Sequence, residues 1–355
     1  MNKYILPAIL LLIFNGCSKS PTAHHETENS SWIFVSNEGQ FCSEDFGMDC
    51  TNTEWGSISM INSAGQIKSI KDVGNTVQSL LVHNDFLYVV INQDHLIKKY
   101  SINADTIIFE NSFSTNNSSP REMVIANDKL YFTNWNSNDV KILNLNSNEI
   151  ENNSFEINGI PEDIIFDGNY LWVTIPELIL YDGNQGTQVA KIEPATGTIN
   201  YIDVGRGPTS LVYHNNEIYI SRTFYEFDGI DENGLWINTQ IKHGTSKIGN
   251  DVIQQPYGTG SACGGTILNY NNTVYRSYDG GIAPIDNNLN IDTVNRIGNY
   301  NQDQVYHVEI INDHILFCLT NYSDMNSVKI LNNIGEEIGN YQVGISPGDI
   351  AFWEK

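Results

Sequence analysis

One pattern of apolar and polar residues recurs along the chain from Trp32 to the C-terminus. An apolar stretch is followed by a short turn rich in Asn, Asp or Gly, and then by an apolar tetrad that ends in a polar or bulky residue. Asn, Asp and Gly tolerate the positive φ angles that tight hairpin turns require. The pattern therefore predicts a series of β-hairpins. The tetrads are FVSN from Phe34, YVVI from Tyr88, YFTN from Tyr131, WVTI from Trp172, YISR from Tyr219, YRSY from Tyr275 and LFCL from Leu316.

The spacing of the tetrads predicts a propeller. Successive tetrads begin 41 to 56 residues apart, close to the ~40 to 50 residues of one four-stranded propeller blade. The two longest intervals predict insertions after Asn37 and after Arg222. The first tetrad has no preceding strand, whereas the last apolar stretch, residues 348–353, has no tetrad after it. The sequence thus predicts an all-β, seven-bladed propeller over residues 32–355, with one blade shared by the N- and C-terminal strands.

Turns of the form Gly-x-x-Pro precede the first strand of two repeats, at Gly205–Pro208 and Gly344–Pro347. With these turns and the YFTN tetrad, the chain from Trp32 to Lys355 resembles the YVTN (YncE-like) family of β-propeller repeats, and in particular its outer-membrane lipoprotein members. The resemblance implies a transport context, in which such lipoproteins sit over TonB-dependent channels and capture scarce nutrients such as cobamides. It does not identify the ligand of this chain, because propellers support many functions.

The N-terminus predicts export and lipidation. Lys3 precedes an apolar run, Ile5–Phe14, that is about half as long as a membrane span requires. The run is followed by Asn-Gly-Cys17, which resembles a bacterial lipobox. We expect residues 1–16 to be a signal peptide, Cys17 to carry the lipid, and residues 17–31 to form a polar tether to the outer membrane, in a leaflet that the sequence leaves open. The alternative is an ordinary secreted protein with a free Cys17.

Four cysteines remain after Cys17, an even number that permits disulfides in an exported chain. Cys42 and Cys50 lie in one polar stretch and are predicted to form a disulfide. Cys263 and Cys318 are left open, as either a bonded pair or two buried side chains.

The composition excludes nucleic acid as a partner. The chain has 18 Lys plus Arg against 42 Asp plus Glu, a formal charge of −24, and a field of that sign repels phosphate backbones. Neither a Gly-x-Ser-x-Gly elbow nor a phosphate-binding loop is present. His95, His243 and His307 lie in different repeats without a common spacing, so no metal site is predicted. No cofactor and no catalytic residue are identified.

Aromatic and Arg residues gather in the loops after the tetrads, which should line the upper face of the propeller. Such a surface would suit a planar or ring-shaped ligand, with Arg side chains as anchors for carboxylate or phosphate groups. The alternative is loop-on-loop packing. The predicted ligand-binding residues are Trp135, Arg206, Arg222, Tyr225, Trp236, Tyr278 and Tyr322.

The leading hypothesis is a membrane-anchored lipoprotein that captures a small molecule on this face, with a TonB-dependent transporter as a further expected partner. The second hypothesis is a lactonase-like hydrolase or lyase that uses acid or base residues on the same face. The third is a protein-interaction scaffold. The candidates for acid–base chemistry are Glu177, Glu226, Asp279 and His307.

Overall fold

The computed structural model describes residues 30–40, 50–51, 53–179, 183–230, 236–259 and 265–355. These residues form seven antiparallel blade sheets arranged around a ring, together with one small two-stranded sheet, and this confirms the predicted all-β, seven-bladed propeller. One short 3-10 helix, Gln302–Gln304, interrupts the strands of this part of the chain. Within the same ranges, no helix has the length and apolar character needed to cross a membrane.

The strands follow one another blade by blade. Blade 1 contains β1 (Ser31–Asn37), β2 (Gly56–Asn62) and β3 (Ile67–Gly74). Blade 2 contains β4 (Val77–His83), β5 (Phe86–Ile91), β6 (Leu96–Ile102) and β7 (Ile107–Ser114). Blade 3 contains β8 (Pro120–Ala126), β9 (Lys129–Asn134), β10 (Asp139–Asn144), β11 (Glu149–Ile150) and β12 (Phe155–Glu156). Blade 4 contains β13 (Ile164–Phe166), β14 (Leu171–Glu177), β15 (Gln185–Ile192) and β16 (Ile199–Asp203).

The second half of the ring includes the longer predicted insertion. Blade 5 contains β17 (Pro208–His214), β18 (Glu217–Glu226), a small hairpin of β19 (Gly229–Ile230) and β20 (Trp236–Ile237), and then β21 (Gln240–Ile248) and β22 (Val252–Thr259). Blade 6 contains β23 (Ile267–Tyr270), β24 (Thr273–Tyr278) and β25 (Gly281–Pro284). Blade 7 contains β26 (Val305–Ile311), β27 (His314–Thr320), β28 (Asn326–Leu331) and β29 (Glu337–Gln342). The last strand, β30 (Pro347–Glu354), returns to blade 1.

The ring closes as the sequence predicts. Strand β30 pairs with β1 in antiparallel register, with Trp353 opposite Trp32 and Ala351 opposite Phe34. The innermost strands of neighbouring blades contact one another around the ring, including the contacts of β26 with β30 and of β30 with β4. Closure by both chain ends leaves blade 1 with the same four-stranded sheet as blades 2, 4, 5 and 7.

The hairpin turns have the geometry that their residues predict. At several turns both central residues have positive φ, as in type I′ turns, which match the twist of the paired strands. Examples are Asn127 at 50° with Asp128 at 60°, and Asn215 at 49° with Asn216 at 63°.

The hydrophobic core lies between the blades. Each cluster joins the face of one sheet to the face of the next; Trp32 and Met60 of blade 1, for example, pack with Leu87 and Val89 of blade 2. This interlocking makes each blade dependent on its neighbours for burial of its apolar face.

Two of the four cysteines that follow Cys17 lie in the described ranges. Cys50 is disulfide-bonded, but Cys42 lies outside the described residues, so the pairing of the two stays a prediction. Cys318 is a free thiol buried in β27, and Cys263 also lies outside the described residues.

Candidate functional site

The upper face is the side of the ring where each innermost strand begins and the strand next to it ends. Pro120, at the start of β8, lies opposite Asn134, at the end of β9. The residue that follows a tetrad therefore lies beside the first residues of the innermost strands. This arrangement brings Trp135 of blade 3 next to Glu162 of blade 4.

Trp135 is held in place by two charged side chains. Its indole Nε1 donates a hydrogen bond of 2.6 Å to Glu162 Oε2, and the guanidinium carbon of Arg121 lies 4.0 Å from the ring centroid. Arg121 and Glu162 also form a two-point ion pair, with Nη2–Oε1 at 2.7 Å and Nε–Oε2 at 3.2 Å. Such bidentate pairs fix geometry as well as charge. Trp135 is therefore a pre-positioned aromatic side chain.

Trp135 borders a cleft on the upper face, with a volume of about 210 Å³. We call this the mouth cleft. It lies between blades 3, 4 and 5, and Tyr225 forms part of its wall. The backbone of Tyr225 is fixed by Gln185, whose Oε1 accepts from the Tyr225 N–H at 2.7 Å and whose Nε2 donates to the Tyr225 carbonyl at 2.8 Å. The lining residues are Trp135, Glu162, Pro176, Glu177, Gly183, Gln185, Thr209, Thr223 and Tyr225.

The mouth cleft adjoins a larger cavity in the centre of the ring. This central channel has a volume of about 620 Å³. Glu162, Thr209 and Thr223 line both cavities, so a ligand in the cleft would face the channel directly.

The central channel is strongly acidic. Its described lining includes five carboxylates and one imidazole but no Lys or Arg. The carboxylates come from the innermost strands of several blades or from the residues just before them, which the ring brings together. The ionisable lining residues are Glu122, Glu162, Asp163, His307, Glu309 and Asp349.

Burial raises the pKa values of several of these carboxyl groups. Burial raises the pKa of Asp163 to about 6, although the backbone N–H groups of Leu211 and Ile164 act in the opposite direction. Burial, together with the charges of Asp349 and Asp163, raises the pKa of Glu122 well above its usual value. A cation in the channel would offset this crowding of like charges.

The two predicted Arg anchors do not line either cavity. Arg206 is exposed and is paired with Glu226 at 3.0 Å. Arg222 is 4% exposed and is not on the rim, because it lies within the tetrad strand and not in the loop after it. Its guanidinium carbon lies 5.5 Å from the Phe224 ring, and burial lowers its pKa.

The remaining predicted aromatic residues are separate from the mouth cleft. Tyr278 is 37% exposed and Tyr322 is 51% exposed; neither belongs to the lining of the cleft or the channel. Tyr322 packs edge-to-face on Tyr306, with ring centroids 5.8 Å apart. The side chain of Trp236 lies outside the described residues. Of the seven predicted ligand-binding residues, the structure brings Trp135 and Tyr225 together in one site.

The acid–base candidates are dispersed. Glu226 pairs with Arg206 and with Lys242, whereas Asp279 pairs with Arg296 on the surface. Glu177 lines the mouth cleft and His307 lines the channel. The candidates therefore do not form one catalytic group.

Sequence reasoning missed the acidic residues of the channel, although a signal was present. In three repeats an acidic residue lies just before the apolar part of the innermost strand, at Glu122, Asp163 and Asp349. All three line the central channel, so a repeated acid at that position indicates an acidic channel.

Comparisons with known proteins support the fold. No protein-family model matches the chain, and no curated protein matches it in sequence. A putative 6-phosphogluconolactonase from Bacteroides uniformis superposes with a TM-score of 0.61 at 12% identity, over 91% of this chain and 99% of that one. The periplasmic gluconolactonase PpgL from Pseudomonas aeruginosa has a TM-score of 0.55 at 12% identity, over 90% and 99% of the two chains.

Apo AztD from Citrobacter koseri has a TM-score of 0.55 at 10% identity, over 92% of this chain and 98% of that one. The names of these proteins do not describe one common activity, and the sequence identity of this chain to each of them is low. The similarity therefore extends to the fold and not to a shared activity. The chain is a seven-bladed β-propeller with an acidic central channel and an aromatic cleft at its upper mouth.

Proposed function

We propose that the chain is a ligand-binding propeller that captures a small cationic solute with an aromatic or apolar part at its mouth cleft. The observation that carries this proposal is the fixed Trp135 at the entrance to a channel with five carboxylates and no described Lys or Arg in its lining. An aromatic wall would take the apolar part of the solute, and the channel would attract its positive charge.

The charge of the site separates this proposal from the capture of anionic ligands. Arg121 is engaged by Glu162, Arg206 by Glu226, and Arg222 is buried. A carboxylate or phosphate at the mouth would have to displace these contacts and approach the acidic channel. A cation would be attracted first at the mouth and then in the channel.

Membrane anchoring belongs to the same proposal. The lipobox-like end of residues 1–17 supports attachment through Cys17, and the tether that follows would hold the propeller at the outer membrane surface. A captured solute would then be handed to a membrane transporter, for which the TonB-dependent class is the expected partner. The resemblance of the YFTN tetrad and the Gly-x-x-Pro turns to the YVTN repeat is the sequence observation that supports this context.

The test compares matched probes that differ in charge. Tryptamine and indole-3-acetate share an indole ring but carry opposite charges at neutral pH. We expect tryptamine to raise the Tm of the mature chain and to bind by calorimetry, and indole-3-acetate to do neither. The reverse preference, or no response to tryptamine, would refute the proposal. All measurements contain EDTA, so that metal binding does not contribute.

Variants locate the site. Trp135→Ala removes the aromatic wall and should weaken tryptamine binding by on the order of 30-fold, equivalent to about 2 kcal/mol for a dominant contact residue. Tyr225→Ala is the second cleft variant, in case loss of Trp135 disturbs folding. Tyr278→Ala is the matched control, because Tyr278 is an aromatic residue on the surface outside the cleft. Equal effects of Tyr278→Ala and the cleft variants would place binding elsewhere.

A further inference from the structure

Three metal-ligating side chains meet in the central channel, apart from the mouth cleft. His307 and Glu309 are two residues apart on β26, so both project from the same face of the strand. Asp349 lies at the start of β30 in the adjacent blade. One ligand atom from each of the three lies within 4.8 Å of those of the other two.

The distances between these side chains are compatible with a metal site. His307 Nε2 lies 3.6 Å from Glu309 Oε2 and 3.9 Å from Asp349 Oδ1, too far for hydrogen bonds. Nε2 is fully buried, and no described protein group forms a hydrogen bond with it. Metal–ligand bonds of about 2.0 to 2.2 Å place neighbouring ligand atoms roughly 3 to 3.5 Å apart. Contraction by a few tenths of an ångström would bring the His307–Glu309 and His307–Asp349 distances into this range.

Backbone N–H groups already orient both carboxylates. Asp349 Oδ2 accepts from the Leu80 N–H at 2.6 Å and Oδ1 from the Ile350 N–H at 2.7 Å. Glu309 Oε1 accepts from the Ile310 N–H at 2.9 Å, which leaves Oε2 directed to His307. Such outer hydrogen bonds are a regular feature of metal sites, because they fix the ligands before the ion arrives.

We propose that His307, Glu309 and Asp349 bind one divalent transition-metal ion, of which Zn²⁺ is the best match. One imidazole nitrogen with two carboxylate oxygens suits Zn²⁺ better than Ca²⁺ or Mg²⁺, which take oxygen ligands alone. Three protein ligands leave coordination positions open to the channel, whose volume of about 620 Å³ has room for water or a solute. This site was not expected from the sequence, because its His is not part of a spaced His motif.

Charge in the surrounding channel supports the same ion. Glu122 and Asp163 also line the cavity, close to the three proposed ligands. A divalent ion at the three ligands would reduce the repulsion among these groups. The site lies beyond the mouth cleft and does not depend on the proposed solute.

The test is equilibrium dialysis of the mature chain against Zn²⁺, after treatment with EDTA and its removal. His24→Gln and His25→Gln are present in every variant, so that the tether cannot contribute ligands. We expect one equivalent of Zn²⁺ per chain. His307→Gln should weaken binding by more than about 100-fold, and Glu309→Gln by roughly 10- to 100-fold. His83→Gln, at the end of β4 and outside the channel lining, is the matched control and should bind like the parent.

Co²⁺ absorption provides an independent readout of the ligands. The visible bands of bound Co²⁺ should appear in the parent and the His83→Gln chain, and disappear in His307→Gln. Circular dichroism checks that each variant is folded. If His307→Gln does not fold, Glu309→Gln still tests the site. Substoichiometric binding by the parent, or binding by the His307→Gln and Glu309→Gln chains as tight as that of the parent, would overturn the site. Since tryptamine binding is measured with EDTA, each proposal can fail without the other.

Discussion

Closure of the ring by the C-terminal strand can be tested at one side chain, Trp353. Its side chain is 3% exposed and packs in the cluster that joins blades 1 and 2, which includes Trp32 and Leu87. Its indole Nε1 donates to Asp85 Oδ1 at 3.0 Å. Trp353→Ala would remove this packing across two blades and leave a cavity.

The expected loss is large. Replacing a buried Trp by Ala costs about 3 to 5 kcal/mol, compared with a total stability of about 5 to 15 kcal/mol for a typical domain. With an unfolding entropy of about 2.1 cal/mol/K per residue, the corresponding decrease in Tm is roughly 4 to 7 °C for a ring of this size. Trp353→Phe should lose less, because most of the apolar area is kept.

The assay is calorimetry together with urea unfolding. Deletion of residues 348–355 should destabilise more than Trp353→Ala, since it also removes buried Ile350 and exposes the edge of β1. Deletion of Glu354 and Lys355 is the control, because both are exposed. If the chain without residues 348–355 melts within about 2 °C of the full chain, the C-terminal strand does not hold the ring closed and the reasoning is wrong.

Two further predictions concern the anchor and the acidic channel. Cys17→Ser should release the protein into the soluble fraction, and a variant that stays with salt-washed membranes would contradict lipidation at Cys17. Burial raises the pKa of Asp163 from 3.8 to about 6, so the native state keeps a proton that the unfolded chain has lost. The contribution of Asp163 to stability should therefore fall as the pH rises from about 4 to about 6. Relative to Asp163→Asn, the free energy of unfolding should decrease by about 2 kcal/mol over that range in urea titrations with EDTA; a constant difference would show that Asp163 titrates normally.

The sequence determined the fold because its signals are local and repeated. A hairpin turn such as Asn127–Asp128 depends on residues that accept positive φ. The tetrads depend on the alternation of buried and exposed side chains along a half-buried strand. Both recur at the spacing of a blade. The missing strand at one end and the extra strand at the other then specify closure, which the pairing of Trp32 with Trp353 confirms.

Only the tertiary structure decided which side chains meet at the site. Trp135 and Tyr225 line one cleft while Tyr278 and Tyr322 do not, because side-chain direction after a tetrad depends on the loop and on the adjacent blade. Arg222 is buried because it lies within β18, which pairs with β17 on one side and with β21 on the other.

The channel depends on contacts that are distant in sequence. His307 and Asp349 are neighbours because the ring places the innermost strands of successive blades side by side. The acidic residues at Glu122, Asp163 and Asp349 were visible in the sequence as a repeated position. Their convergence on one axis follows from the number of blades and the closure of the ring, which no single segment of the chain contains.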